Sequence, residues 1–435
     1  MHLNSNKKKI DEICYSGIFI VAMILYIVFN VNSQLFNFSG MIIFIFSLLI
    51  FIFSLRSIVR RGLKTHNLFY LIFFGFLFIN TYNISNLQQE KTILDIYYFF
   101  VGPILFGACL YLGERGGLTF KDKVRFVGIL DSKKATLLLL SIYILLYMRL
   151  FSIVGVKLFS DIPLRYLTDD IYVVPGISGL LNILFWVLLL YIPKIEKKMR
   201  VIVLGNLFLF SGLLDFSRGN IMRIFLFVVL YYFWFKGKDL LTIKNIKKVL
   251  PIILIPIVIF VIMGEFRQKD LNNVFSIADT LNSRVNNQYV NWLLGYTALN
   301  FDVLKLAIQE EPSYLPVQFM LPFIRIIGGN ENIIRVYADQ GSYSLNGFNA
   351  GTFLLGFVRD FGALYILEVL FFGLFVGMMV SFTRKYNLIG VYIFILTLTS
   401  LTIFGNYFLL PNYFFSMIIA TILSIFSTSK RRTAK

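Results

Sequence analysis

Apolar residues in this chain fall in long runs, near 14–31, 38–55, 68–84, 93–112, 136–155, 176–193, 201–216, 219–235 and 249–264, and again at 360–382, 387–404 and 408–427. A helix that crosses a bilayer needs about 20 predominantly apolar residues, and these runs approach that length. The pattern predicts an all-α, polytopic membrane protein of about twelve transmembrane helices. The pair 201–216 and 219–235 also reads as one interrupted hairpin. Residues 351–358 read as a re-entrant lead-in to the span that follows.

One long stretch breaks the rhythm. Residues 265–350 are not a continuous apolar run, and they carry Arg267, Arg284, Arg325 and Arg335 among several acids. Loops of this length are uncommon unless functional or disordered, and this one holds too many aromatics for disorder. Two parts of it suit a membrane surface. Ile277, Leu281 and Val285 share one helical face, and residues 314–327 are apolar but broken by Pro316 and Pro322. The expected organisation is an N-terminal bundle of about nine spans over 1–264, a large extracytoplasmic loop over 265–350, C-terminal helices over 351–427, and a basic cytoplasmic tail over 428–435.

Composition agrees. Of 435 residues 58% are hydrophobic, and the mean hydropathy is +0.77, which places the chain among membrane proteins rather than soluble domains. The net charge of +18 does not point to nucleic acid, because Lys and Arg cluster at the ends of apolar runs. Lys7–Lys9, Arg56–Lys64, Arg115–Lys134, Lys194–Arg200, Lys236–Lys248, Arg384–Lys385 and the tail occupy alternate connections. The intervening ones hold only Lys91, then Lys157 and Arg165, then Arg218, then the long loop. The basic set is expected in the cytoplasm, with both termini inside and the long loop outside. No small-residue cleavage site follows the first run, so it reads as an uncleaved anchor. Cys14 and Cys109 lie in or beside apolar runs and imply neither a disulfide framework nor a thiolate metal site.

Polar groups in apolar runs are the candidates for chemistry. Arg149, Arg223 and Arg359 lie within or at the edge of such runs, where a cation needs a partner or a watery cavity. Arg218 opens the helix after the turn Asp215-Phe216-Ser217, and Arg223 lies five residues on, about 7 Å deeper. Two guanidinium groups so placed could hold a diphosphate, since Arg matches phosphate oxygens bidentately. The alternatives are snorkelling of Arg218 to the interface and pairing of Arg149 with an acid on a neighbouring helix. Gly373 and Gly377 have GxxxG spacing, which indicates close helix packing. Asp169–Asp170 and Glu310–Glu311 read as solvated turns. No HExxH helix, glycine-rich nucleotide loop or Ser/His/Asp set is present, so water-soluble nucleotide chemistry is not indicated.

Together, Ser217-Arg218-Gly219 after a short turn, one large late loop, and the run from Phe353 through Arg359-Asp360-Phe361-Gly362 resemble the O-antigen polymerase (Wzy-type) family of repeat-unit polymerases. Arg165 to Gly176 and Arg284 to Gly295 fit the Arg-x10-Gly spacings of that family's outer loops. The related O-antigen ligases rely on a loop histidine, and residues 265–350 contain none. The resemblance implies a glycosyltransferase of the bacterial inner membrane. It would transfer a glycan from undecaprenyl diphosphate to a second lipid-linked repeat unit, building O-antigen or capsule. It implies no cofactor and no metal; the partners are lipid-linked oligosaccharides and the bilayer, with a chain-length regulator and a flippase beside them, and no nucleic acid. Arg218, Arg223, Arg284 and Arg325 are the implied diphosphate ligands. Asp215, Glu265 and Asp360 are the candidate bases; Arg165, Tyr289, Trp292 and Tyr337 are candidates for glycan contact.

Three rival readings differ in what they require. A flippase of lipid-linked oligosaccharides needs charged cavities open to both sides and no large outer domain. An unrelated polyprenyl-dependent glycosyltransferase commonly carries an acidic pair in its first outer loop, and residues 32–38 contain no acid. A scaffold has no use for Arg223 in an apolar run.

Overall fold

The computed structural model describes residues 16–28, 37–82, 87–116, 130–159, 176–236, 297–324 and 351–428, with isolated positions between them. Helix dominates: α1 (Ser16–Val28), α2 (Phe38–Arg61), α3 (Thr65–Asn80), α4 (Ile93–Gly116), α5 (Ser132–Val154), α6 (Ile177–Tyr191) and α7 (Lys197–Leu207). After them come α8 (Arg218–Lys236), α9 (Asn300–Ile308), α10 (Val317–Ile324), α11 (Leu354–Phe361), α12 (Tyr365–Lys385), α13 (Ile389–Ser400) and α14 (Pro411–Phe426). Among the described residues five helical stretches are long and apolar enough to cross a membrane, and five more are apolar but shorter. The protein is therefore membrane-integral and helical. Of the run 249–264 only Leu254, Val258, Ile259 and Ile262 are described, and the tail 429–435 lies outside the described residues.

Among the described residues the two kinds of connection gather at opposite ends of the bundle. At the basic end the Glu114 carboxylate, at the foot of α4, meets His66 Nδ1 at 3.1 Å and Arg384 at 3.5 Å, joining α3, α4 and α12. Arg384 also donates to the Tyr392 hydroxyl of α13 at 2.9 Å. Lys194 donates to the Ser424 carbonyl, and Leu130–Asp131 pairs with Ser427–Thr428 in a two-residue parallel ladder, which brings the ends of α5, α6 and α14 there too. The other end, called the loop end here, holds Lys91, Lys157, the 215–217 turn and the described part of the long loop.

Glycines let α4 and α12 approach closely. A Cβ on Gly377 would lie 2.6 Å from the Leu110 carbonyl, and one on Gly113 would lie 2.8 Å from the Gly377 backbone. The GxxxG expectation thus holds as packing of α12 on α4. Higher up, α4 contains a π turn at Tyr97–Val101, just before Pro103. There the Gly102 N–H donates to the Tyr365 hydroxyl at 3.0 Å, and that hydroxyl lies 3.2 Å from the Tyr98 carbonyl. A side chain from α12 therefore supplies a partner where the local ladder is disturbed.

The segment before α12 is not a straight extension of it. Phe353 and Phe372 both pack on Phe106, with ring centroids at 4.8 and 5.5 Å. A continuous helix would separate residues 353 and 372 by about 28 Å. The chain reverses at Gly362, whose φ of 55° with ψ of −124° suits glycine alone. So α11 starts deep in the bundle, where the Phe353 N–H donates to the Thr402 carbonyl at 2.7 Å, and rises to the loop end before α12 descends. The residues expected to form a re-entrant lead-in, 351–358, thus belong to the first arm of a helical hairpin that runs as far as Phe361.

Two helices of the long loop cap this arrangement. In α9, Asp302 and Lys305 point inward to a buried network: Asp302 accepts from Lys91 at 2.8 Å and from Asn80 at 2.6 Å, and Lys305 lies 2.9 Å from Asp95. The start of α4 is itself closed by a capping box between Thr92 and Asp95. In α10, Phe319 packs on Phe357, Phe371 and Phe372, and Phe323 packs on Phe414 of α14.

Candidate functional site

The approach to the loop-end turn begins as α7 changes into a π stretch, Phe208–Leu214. The wider winding sends the Asp215 N–H to the Phe210 carbonyl and the Ser217 N–H to the Gly212 carbonyl, at 3.0 and 2.9 Å. Phe216 takes a positive φ of 50°, a rare geometry for a side chain of that size, and the chain reverses into α8. Strained backbone of this kind tends to occur where a turn is held for a purpose.

The turn places a short polar chain on the first two turns of α8. Asn220 is buried and lies between the Ser211 carbonyl, to which its amide donates at 3.4 Å, and Arg223, whose Nη1 donates to Asn220 Oδ1 at 2.9 Å. The Arg223 guanidinium carbon sits 5.7 Å from the Tyr407 ring centroid and 5.5 Å from that of Tyr413. Arg223 is half-buried, and among the described residues no carboxylate pairs with it. Its charge is met by an amide oxygen and two ring faces, each of which compensates a cation only in part. A cation held this way, about 7 Å below the start of α8, is open to an anion.

The other candidate residues are placed unequally. Asp215 forms an ion pair with Lys157 at 3.0 Å, and its side chain is 20% exposed. Asp360 has no exposed surface; its Oδ2 accepts the Gln318 N–H at 2.8 Å, so it caps the start of α10. Glu368, near the top of α12, is buried, and among the described residues neither of its carboxylate oxygens has a hydrogen-bond partner. Arg149 lies on an exposed face of α5, without an acidic partner among the described residues. For Arg218 the backbone opens α8, but its side chain lies outside the described residues. Glu265, Arg284 and Arg325 lie outside them altogether, as do Arg165, Tyr289, Trp292 and Tyr337.

Sequence reasoning did not find Tyr407, Tyr413 or Asn220. The tyrosines belong to the last apolar stretch of the chain, and no local signal joins them to α8. Lys157 had a weak signal, as one of few cations in the connections of the loop end.

Fold and charge placement define a membrane-integral helical protein with a half-buried arginine near one end. No family model matches the chain, and no curated protein or solved structure matches it.

Proposed function

We propose that this protein polymerises lipid-linked oligosaccharide repeat units, transferring a glycan from undecaprenyl diphosphate to a second lipid-linked unit. The observation that carries the reading is Arg223: a half-buried guanidinium that meets an amide oxygen and two tyrosine rings and, among the described residues, no carboxylate, five residues into the helix that Arg218 opens. An isoprenoid tail would lie in lipid at that depth while its diphosphate reached both cations. Charge-assisted contacts to phosphate are among the stronger hydrogen bonds, and they would also stabilise the departing diphosphate.

In the reaction the acceptor hydroxyl oxygen bonds to the anomeric carbon of the donor sugar. The bond from that carbon to the phosphate oxygen breaks, and undecaprenyl diphosphate leaves with the electron pair. A carboxylate takes the hydroxyl proton. The full burial of Asp360 favours a structural part for it, which leaves Asp215 and Glu265 for this step. The reading puts the loop end outside the cell, both termini in the cytoplasm, and the protein in the bacterial inner membrane, in agreement with the distribution of Lys and Arg.

Deletion of the gene and gel analysis of the cell-surface polysaccharide tests the proposal. The expected result is a ladder that collapses to single repeats. Complete loss of surface glycan, with lipid-linked units trapped inside, would replace polymerisation with flipping.

A further inference from the structure

Helix α10 buries Val317 and Leu321, yet its open side is apolar too. Its polar side chain, Gln318, is 3% exposed and packs against Gly356, while Met320 and Phe323 are 43% and 40% exposed. Tyr314 and Leu315, just before the helix, are also open. A helix on a water-soluble surface carries polar residues on its outer side, opposite its apolar stripe. A helix that is apolar all round, with its one polar side chain turned inward, suits surroundings of hydrocarbon.

Depth agrees with polarity. Phe319 packs on Phe371 at 5.5 Å and Phe372 at 6.3 Å. Residue 371 lies six residues into α12, about 9 Å below its upper end. Leu367 and Phe371 are widely exposed along that face of α12, as is Leu364 just before it, and α12 belongs to a stretch long and apolar enough to cross a membrane. The open side of α10 therefore continues a surface that already faces lipid. Two polar contacts hold the segment against the bundle: Asp360 accepts the Gln318 N–H, and the Ser313 N–H donates to the Arg359 carbonyl at 2.9 Å. A short helix containing Pro322 would not keep this position by its own ladder.

We propose that Val317–Ile324, although part of the long loop, is set among the acyl chains of the leaflet at the loop end, with Met320 and Phe323 in contact with lipid. The loop is thus anchored in the bilayer beside the site of Arg223, because α10 also packs on α14 through Phe323 and Phe414. This placement does not depend on the polymerase reading and stands or falls separately from it.

The test uses the full-length protein, purified and reconstituted into phosphatidylcholine–phosphatidylglycerol vesicles, with Cys14 and Cys109 replaced by Ser. Single cysteines, Met320→Cys, Phe323→Cys and, as an exposed control, Glu311→Cys, carry an environment-sensitive fluorophore. Acyl chains brominated along their length should quench positions 320 and 323 by roughly twofold or more and leave 311 almost unchanged, with aqueous iodide giving the opposite order. Iodide quenching at 320 and 323 equal to that at 311 would overturn the proposal. Shielding of both positions from bromolipid and iodide alike would overturn it too, since a second protein surface would then cover the helix. Two labelled positions guard against failure of either variant to fold.

Discussion

Lys91 and Asp302 meet at 2.8 Å although 211 residues separate them, and their side chains are 3% and 0% exposed. The pair fastens the connection between α3 and α4 to the first described helix of the long loop. Asn80 and the Gln89 N–H complete the coordination of Asp302, at 2.6 and 3.0 Å, so the buried charge is well supplied with donors.

Removal of one partner from that pair should be costly. Lys91→Met or Asp302→Leu alone leaves the other charge buried and is expected to destabilise by about 3–5 kcal/mol. The double substitution should recover part of the loss, since an uncharged pair has no unpaired ion. Thermal unfolding of the four proteins in detergent checks this; additive losses would show that the two residues act separately.

Gly377→Ala should lower the melting temperature, because its Cβ would meet the Leu110 carbonyl at 2.6 Å. Overpacking of this kind costs about 1–3 kcal/mol where backbone faces backbone. Gly205→Ala is the control. No atom lies within 4 Å of its Cβ, so that change should be neutral or slightly stabilising.

Arg223→Lys should keep the charge but lose the planar contact with Tyr407 and Tyr413 and the fork that suits phosphate. Under the proposed function, Arg223→Ala and Arg218→Ala lower the polymerisation rate on the order of ten- to a hundredfold, which corresponds to roughly 1.5–3 kcal/mol. Arg149→Ala, at an exposed position on α5, should leave it unchanged. Rates and chain lengths measured in membranes matched for protein level decide between these outcomes. Normal rates in the Arg218 and Arg223 variants would move the search for the diphosphate site to Arg284 and Arg325.

Asp360→Asn should remain active, because the amide oxygen of Asn can still accept the Gln318 N–H. Asp360→Ala should lose about 1–3 kcal/mol of stability, with a buried donor left unsatisfied. If Asp360→Asn instead folds normally and fails to polymerise, Asp360 belongs with the bases and Asp215 does not need that role. Asp215→Asn should fold normally in either case, since its ion pair with Lys157 is partly exposed and contributes at most about 1 kcal/mol.

Orientation has its own test. In a background with Cys14 and Cys109 replaced, Glu311→Cys should react with an impermeant maleimide on intact cells, and Ser429→Cys only after permeabilisation. The reverse pattern would invert the membrane orientation and place Arg223 on the cytoplasmic side.

The sequence by itself determined the helical membrane class, because bilayer crossing demands long apolar runs that one chain shows locally. It also determined which connections are basic, and the structure gathers the described ones at one end. The GxxxG contact was legible for the same reason: glycine spacing is a local feature. Only the tertiary structure decided what each charge faces. Asp360 is a candidate base through the family resemblance, yet its oxygen caps a helix more than forty residues earlier in the chain. Arg223 acquires Tyr407 and Tyr413 from the other end of the sequence, and Lys91 acquires Asp302. Such partners are chosen by helix packing across the bundle, and hydropathy carries no record of which apolar runs become neighbours.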